Sequence, residues 1–425
     1  MIEMKDSGVD WIGEIPAHWE IKRLKDVATS GSGTTPKSSN EKYYENGIYP
    51  WLITGDVQNK EIVSNDIFIT ELAVSEVPNL KLFPSKTVLL AMYGGGTIGN
   101  VGLMTYPAYI NQACCALIPL KIIAEKYLFY YLLNKQERII STGIGGTQIN
   151  LSQNKIVAYP IAVPPIEEQR AIADYLDEKT AEIDKQVELL EQKQKAYQKL
   201  KTSLISQLVT RGLNKDVPLK DSGIDWIGEI PAHWEVKRIK AIFTECKELS
   251  TTGTEDLLSV SEYYGVARRL DVKEDDEYDT RADSLEGYKI CKKNDLVINI
   301  MLAWKRGLGF SDFDGIVSPA YAVYRGKGII PHYYHYLLRT DRYIAEFKRN
   351  SKGIIDSRLR LYSDRFFAVK TIVPPIEEQQ AIADYLDEKT AEIDEQISNI
   401  DKKINTYKRL KQSLIDEVVT GKRKI

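Results

Sequence analysis

The sequence predicts an α/β protein, with two small mixed α/β domains separated by two long antiparallel coiled-coil helices in a pseudo-twofold internal repeat. Three observations predict it. Residues 6–25, DSGVDWIGEIPAHWEIKRLK, recur at residues 221–240 with only aliphatic exchanges: Val9/Ile224, Ile21/Val236 and Leu24/Ile239. Residues 164–186 recur at 374–396 with two changes, Arg170 to Gln380 and Lys185 to Glu395. After each Pro-Pro pair, apolar residues then fall seven apart, the spacing of a helix that buries one line against a partner. The segments between the repeated blocks, 26–163 and 241–373, show almost no mutual resemblance. Two near-identical frames thus carry two different inserts. Units this large are domain-sized, which excludes a stacked solenoid.

In chain order the expected parts are residues 1–25, an N-terminal frame; 26–163, a first domain; 164–240, a central frame with a long helix; 241–373, a second domain; and 374–425, a C-terminal helix. The frame block reads as an ordered turn anchored by tryptophans. Trp11, Trp19, Trp226 and Trp234 lie in the two copies, and packing is their expected role. His18 and His233 have no second histidine or cysteine nearby and read as structural.

The first insert has β-like runs at 48–53, 87–92, 101–104 and 116–120 and a helical patch at 125–133. Glycine-rich loops at 31–37, 93–100 and 143–148 lie between them. From Glu167 the chain reads as one helix of about 45 residues, with no Gly or Pro before Gly212. At ~1.5 Å per residue that is roughly 65 Å. Its seam is Leu176, Ile183, Leu190, Tyr197 and Leu204, with a weaker track at Thr180, Val187, Gln194, Lys201 and Leu208. The second insert has strand runs at 257–260, 296–300 and 320–324 and a helix around 332–339. The last helix repeats the seam at Leu386, Ile393, Ile400, Tyr407 and Leu414. If the helices pair antiparallel, the N-terminal frame lies near the C-terminal helix as the central frame lies near the first, an almost circular arrangement.

Composition bounds the function. Hydrophobic residues make up 43% and charged residues 28%, and the net charge is −3. No apolar run is long enough to span a bilayer, and the N-terminus lacks an apolar signal core, so a cytoplasmic product without a membrane partner is expected. The balance argues against a nonspecific polycation, while a locally basic face remains compatible with nucleic acid. Cys114, Cys115, Cys246 and Cys291 form no Cys-x-x-Cys pair and read as reduced, packed thiols.

Catalytic signatures are missing. The loop Gly94-Gly95-Gly96-Thr97-Ile98-Gly99-Asn100 lacks the Gly-Lys-Ser/Thr end of a phosphate-binding loop. His332 and His335 stand three apart without a third metal ligand. There is no Gly-x-Ser-x-Gly elbow, no His-Glu-x-x-His and no Pro-Pro-Tyr/Phe methyltransferase loop. The paired acids Glu167-Glu168 and Glu377-Glu378 sit at helix starts, where the dipole favours carboxylates, and capping is their expected role.

The repeated Pro-Pro-Ile-Glu-Glu-Gln-x-x-Ile-Ala-Asp-Tyr-Leu-Asp block, the two long helices and the two unlike inserts resemble the DNA-specificity subunit of type I restriction–modification systems. The segments 49–56, 94–102 with Asn111-Gln112, and 146–152 also resemble that family's recognition domains. The resemblance implies that each insert is a target recognition domain reading one half of a bipartite site on double-stranded DNA. It implies that the helices set the spacing and that the frames dock two modification (methyltransferase) subunits, joined by restriction (endonuclease/translocase) subunits. It further implies a noncatalytic chain with no cofactor of its own, the methyl donor and ATP sites lying in the partners. A coiled-coil scaffold that joins proteins without touching DNA is the competing reading, and salt-dependent, sequence-selective binding separates the two.

Candidate DNA contacts follow from that resemblance together with residue chemistry. In the first domain they are Lys37, Tyr93, Gly95, Asn100, Asn111, Gln112, Thr147, Gln148 and Asn150. Glycine permits close backbone approach to a phosphate, and Asn and Gln pair bidentately with adenine. In the second they are Tyr263 and the basic residues Arg268, Arg269, Lys305, Arg306, Lys352, Arg358 and Arg360, which cluster with Lys348-Arg349 among the aromatics Tyr263, Tyr264 and Trp304. No metal site is expected.

Overall fold

The computed structural model describes residues 3–145, 149–271 and 284–425. The chain forms two compact units, Met1–Glu191 with Lys402–Ile425, and Gln192–Asp401. Each unit therefore combines one frame, one insert and portions of both long helices.

In the first unit the insert is built on β1 (Ala28–Ser32), β2 (Val88–Ala91), β3 (Val101–Met104) and β4 (Cys114–Pro119). They lie in the order β1-β4-β2-β3, all neighbours antiparallel, and Lys60–Ile62 adds parallel to β3. Both faces of this sheet are covered, which is why β2 and β3 read as unbroken apolar runs. Val88 and Leu90 join a core with helix α1 (Glu125–Asn134), while Leu89 faces Leu52, Phe83 and Ile110. Tyr49–Leu52, Phe68–Ile69, Leu82–Phe83 and Ala108–Ile110 make a second sheet. Helix α2 (Ile166–Arg211) begins directly after the insert.

In the second unit β5 (Phe243–Cys246), β6 (Leu296–Asn299), β7 (Leu308–Phe310) and β8 (Tyr321–Gly326) lie in the order β5-β8-β6-β7, again antiparallel. Helix α3 (Pro331–Leu338) follows the sheet, and helix α4 (Ile376–Val419) ends the fold. The strand order matches β1-β4-β2-β3 term for term. The inserts therefore share a four-stranded frame although their sequences hardly resemble each other. A ladder is made by backbone groups, so many side-chain sets satisfy the same pairing as long as both faces stay apolar.

The seam residues pack as their spacing predicts. Leu176, Ile183, Leu386, Ile393, Ile400 and Leu414 are buried, and Leu190, Tyr197, Leu204 and Tyr407 are half-buried. Leucines off the seam, such as Leu189, Leu200 and Leu410, stay exposed. In the second unit Gln194 donates to Asp401 at 2.6 Å and Lys201 pairs with Asp394 at 2.6 Å. One heptad forward on α2 is thus one heptad back on α4, the signature of an antiparallel pair. In the first unit Lys411 pairs with Asp184 at 2.6 Å. Asp184 and Asp394 are repeat equivalents, as are Lys201 and Lys411, so each bridge is the other with the roles of the helices exchanged.

Both helix ends are closed by a frame tryptophan. Gly212 has φ +74°, and a Cβ there would lie 3.3 Å from the Trp234 ring. Gly421 has φ +71°, and a Cβ there would lie 2.4 Å from Pro16 and 3.1 Å from Trp19. Glycine fits both positions because the chain turns left-handed against an aromatic ring. Within the first unit the N-terminal frame thus closes on the end of the C-terminal helix. Cys114, Cys115 and Cys291 are fully buried, and burial pushes the Cys115 and Cys291 thiols up to about 12. Among the described residues no helix is long and apolar enough to cross a membrane.

Candidate nucleic-acid interface

Antiparallel pairing in the first unit brings the end of β1, the end of β2, the start of β3 and the start of β4 to one edge. Four loops gather there. Met92 joins three of them: its N–H donates to the Ala113 carbonyl at 2.8 Å, and its carbonyl accepts from the Leu151 N–H at 2.8 Å. The Thr34 N–H donates to the Ile110 carbonyl at 3.0 Å, and the Thr35 hydroxyl donates to Gln112. Lys37, Tyr93, Gly95, Asn111, Gln112 and Asn150 consequently stand on loops at the same edge. Lys37, Gly95, Gln112 and Asn150 are exposed. Tyr93 is half-buried, and desolvation raises its hydroxyl pKa, keeping it a neutral donor. Asn111 accepts the Ala113 N–H at 3.2 Å, which shapes the turn that displays Gln112. Thr147 and Gln148 lie outside the described residues.

Asn100 is half-buried and hydrogen-bonded within the domain. Its amide N–H donates to the Val57 carbonyl at 2.9 Å, and its oxygen accepts from Gln136 at 2.9 Å. One bond at each end of the amide anchors the 93–100 loop, so Asn100 helps to shape the loop that displays Tyr93 and Gly95.

The second unit repeats the plan with different chemistry. The Ile300 carbonyl, just past β6, accepts from the Leu361 N–H at 2.9 Å, as Met92 accepts from Leu151. Lys352 and Arg360 exchange backbone hydrogen bonds of 2.9 Å in both directions, making a small hairpin that carries Arg358. On the loop after β6, the Trp304 ring has Lys305 Nζ at 5.1 Å and Lys348 Nζ at 4.9 Å from its centre. Lys348 also pairs with Asp356 of the hairpin at 2.9 Å. Lys305, Lys352, Arg358 and Arg360 are thereby collected at the strand edge. Lys305, Lys352 and Arg358 are exposed and have no carboxylate partner among the described residues.

Two of the expected basic contacts are committed elsewhere. Arg306, in the left-handed region at φ +64°, pairs with Asp341 and donates to the Arg339 carbonyl at 3.2 Å. Arg268 pairs with Asp256 at 3.2 Å and lies 4.5 Å over Phe313. Both ion pairs lie on the exposed surface of the domain, where such pairs contribute about 1 kcal/mol or less. Arg269 is half-buried and engaged within the protein. Tyr263 is exposed on a separate hairpin, Leu258–Ser261 with Gly265–Arg268, whose tip Arg339 holds through the carbonyls of Glu262 and Tyr263.

The mounting of each insert on its long helix is the feature that sequence reasoning missed. Gln169, fully buried, accepts the Ala124 N–H at 2.8 Å and donates to the carbonyls of Ile122 and Pro164 at 3.0 and 2.8 Å. Gln379 likewise accepts the Ile330 N–H at 2.9 Å and donates to Pro374 at 2.8 Å. Tyr130 donates to Asp177 at 2.7 Å, where Lys126 also binds; Tyr336 donates to Asp387 at 2.7 Å, where His332 also binds. The signal was present. Lys126-Tyr127-x-x-Tyr130 and His332-Tyr333-x-x-Tyr336 share a pattern inside the two dissimilar inserts. Tyr127 and Tyr333 reach the Val419 and Val209 carbonyls at 3.4 and 2.8 Å, the ends of α4 and α2. Glu168 and Glu378 also differ from expectation. They accept the indole N–H of Trp19 and Trp234 at 3.1 and 3.0 Å and bind His18 and His233, tying frames to helices instead of capping.

Two α/β domains, each with loops gathered at a strand edge and each fastened to a long helix, define a modular, internally duplicated protein. Residues 16–195 match the family model for the type I restriction modification DNA specificity domain. A specificity subunit of Methanocaldococcus jannaschii, that of type I restriction enzyme MjaIX, is 31% identical over 240 residues, which cover 54% of this chain and 52% of that relative. The chain thus spans about half the length of that relative. The MjaVIII specificity subunit of the same organism is 25% identical over 432 residues, covering 96% and 93% of the two chains. Among solved structures, one describing complex assembly of the type I R-M system matches the fold with a TM-score of 0.68 at 15% identity, covering 95% of this chain and 98% of that one. The HsdS subunit from Thermoanaerobacter tengcongensis matches with a TM-score of 0.51 at 16% identity, covering 96% and 98%. The chain is thus similar to type I restriction–modification specificity subunits in sequence over part of its length and in fold over nearly all of it.

Proposed function

We propose that this chain reads a bipartite site on double-stranded DNA, one half with the strand-edge loops of each unit, and that the paired helices set the spacing. The observation that carries this reading is the shared β1-β4-β2-β3 and β5-β8-β6-β7 frame with entirely different loops on the equivalent edge. A common support with different displayed groups is what two readers of different sequences need. Phosphate contacts position such a protein and base-edge contacts specify the site. The frames dock two methyltransferase subunits and restriction subunits join them. The chain itself catalyses nothing, and the methyl donor and ATP bind in those partners.

Methylation mapping tests this. DNA from cells expressing the chain with its modification subunit is compared with DNA from cells expressing the modification subunit alone. A bipartite motif present only with the chain is the expected result. An active, assembled methyltransferase without a new motif would refute DNA reading and leave a protein scaffold.

A further inference from the structure

The two strand edges differ in the chemistry they offer DNA, and we infer that the second unit supplies the phosphate grip while the first contributes base reading with little charge. This rests on the DNA-reading function proposed above. At the first edge the displayed groups are Tyr93, Gly95, Asn111, Gln112 and Asn150, all uncharged. Of its nearby cations, Lys37 is exposed, and Lys155 is turned to the Thr142 carbonyl at 2.5 Å. At the second edge Lys305, Lys352 and Arg358 are exposed without carboxylate partners among the described residues, and Lys348 stands by the Trp304 ring.

Whole-domain composition hides the difference, because residues 26–163 hold ten basic and ten acidic residues and residues 241–373 hold 21 and 20. The folded chain separates them. In the second unit Arg268, Arg306 and Arg325 are paired with Asp256, Asp341 and Asp295. The single carboxylate of that hairpin, Asp356, is matched by Lys348. Three cations are left over at the edge.

A cation on a phosphate releases a counterion, so each contact steepens the fall of affinity with salt by about 0.9 in log–log slope. Three contacts give about 2.7, or about a 40-fold difference in the loss between about 50 and about 200 mM salt. The full-length chain is titrated by fluorescence anisotropy with a duplex carrying the mapped motif and a duplex lacking it. The K305Q/K352Q/R358Q variant should lose about 40-fold less affinity across that range than the parent, on both duplexes. The charge-conserving K305R/K352R/R358K variant should keep the parental slope, which separates lost charge from lost folding. N111A/Q112A/N150A should keep the slope while lowering the preference for the motif duplex by about tenfold or more. A neutralised second edge whose salt loss stays within about threefold of the parent would overturn the inference, as would an equal slope change from the first-edge variant. A parent chain that binds neither duplex would overturn the DNA-reading function itself.

Discussion

Gln169→Leu is the most direct probe of how a recognition domain is held to its helix. Leucine keeps roughly the length and volume of glutamine but can neither accept from Ala124 nor donate to Ile122 and Pro164. The Ile122 residue is 45% exposed, so water can replace the lost bond to its carbonyl. Ala124 is 8% exposed and Pro164 is buried, and their N–H and C=O groups would be left without partners. Each buried unsatisfied group costs about 1–3 kcal/mol, so two of them should lower local stability by about 2–6 kcal/mol. Hydrogen–deuterium exchange of the full chain measures this locally and avoids treating two units as one transition. Protection over residues 123–134 should drop by that amount while residues 329–338 serve as the internal control. Gln379→Leu should reverse the pattern with a smaller effect, because Ile330 is only half-buried. If residues 123–134 keep their protection within about 0.5 kcal/mol, Gln169 is not the bolt that its three bonds describe.

Tyr130→Phe removes one donor from Asp177, which retains Lys126, and should cost about 1–2 kcal/mol in the same exchange measurement. The bridges Asp184–Lys411 and Lys201–Asp394 are largely solvent-exposed, so neutralising either carboxylate should cost less than about 1 kcal/mol by urea denaturation. Asp394→Lys should destabilise more, and adding Lys201→Glu should recover part of the loss through the antiparallel register. His335 is pushed down to about 4 by burial, with Arg339 and His332 adding repulsion. The unfolded chain takes up that proton nearer 6.5, so its contribution to stability is present above about pH 6.5 and is lost as pH falls towards 4. Urea midpoints at several pH values should show the second unit weakening across that window, and His335→Gln should flatten the slope.

Much of this fold was legible because the chain states it twice. The repeated blocks and the seven-residue spacing of Leu176, Ile183, Leu386 and Ile393 specify two paired helices, and a buried line recurring every two turns has few other uses. The antiparallel direction was a condition in the sequence reading, and the bridges Gln194–Asp401 and Lys201–Asp394 supply it in the second unit. The loops at 93–100 and 352–360 were legible as loops, and their glycine or basic character was plain. The internal partners of Asn100 and Arg306 were not legible, because an amide or guanidinium looks the same in sequence whether it faces solvent or the Val57 carbonyl and Asp341.

The sequence by itself therefore determined the duplicated plan, the helices and the chemical types on each insert, since these depend on local periodicity and residue identity. Only the tertiary structure decided that Met92 and Ile300 would each gather distant loops to one strand edge, and that two dissimilar inserts would share one strand order. Those outcomes depend on backbone pairing between residues far apart in the chain, where hydrogen-bond geometry constrains the partner's position and leaves its side chain almost free. The same long-range pairing selects which cations are neutralised within the domain and which three remain at its edge.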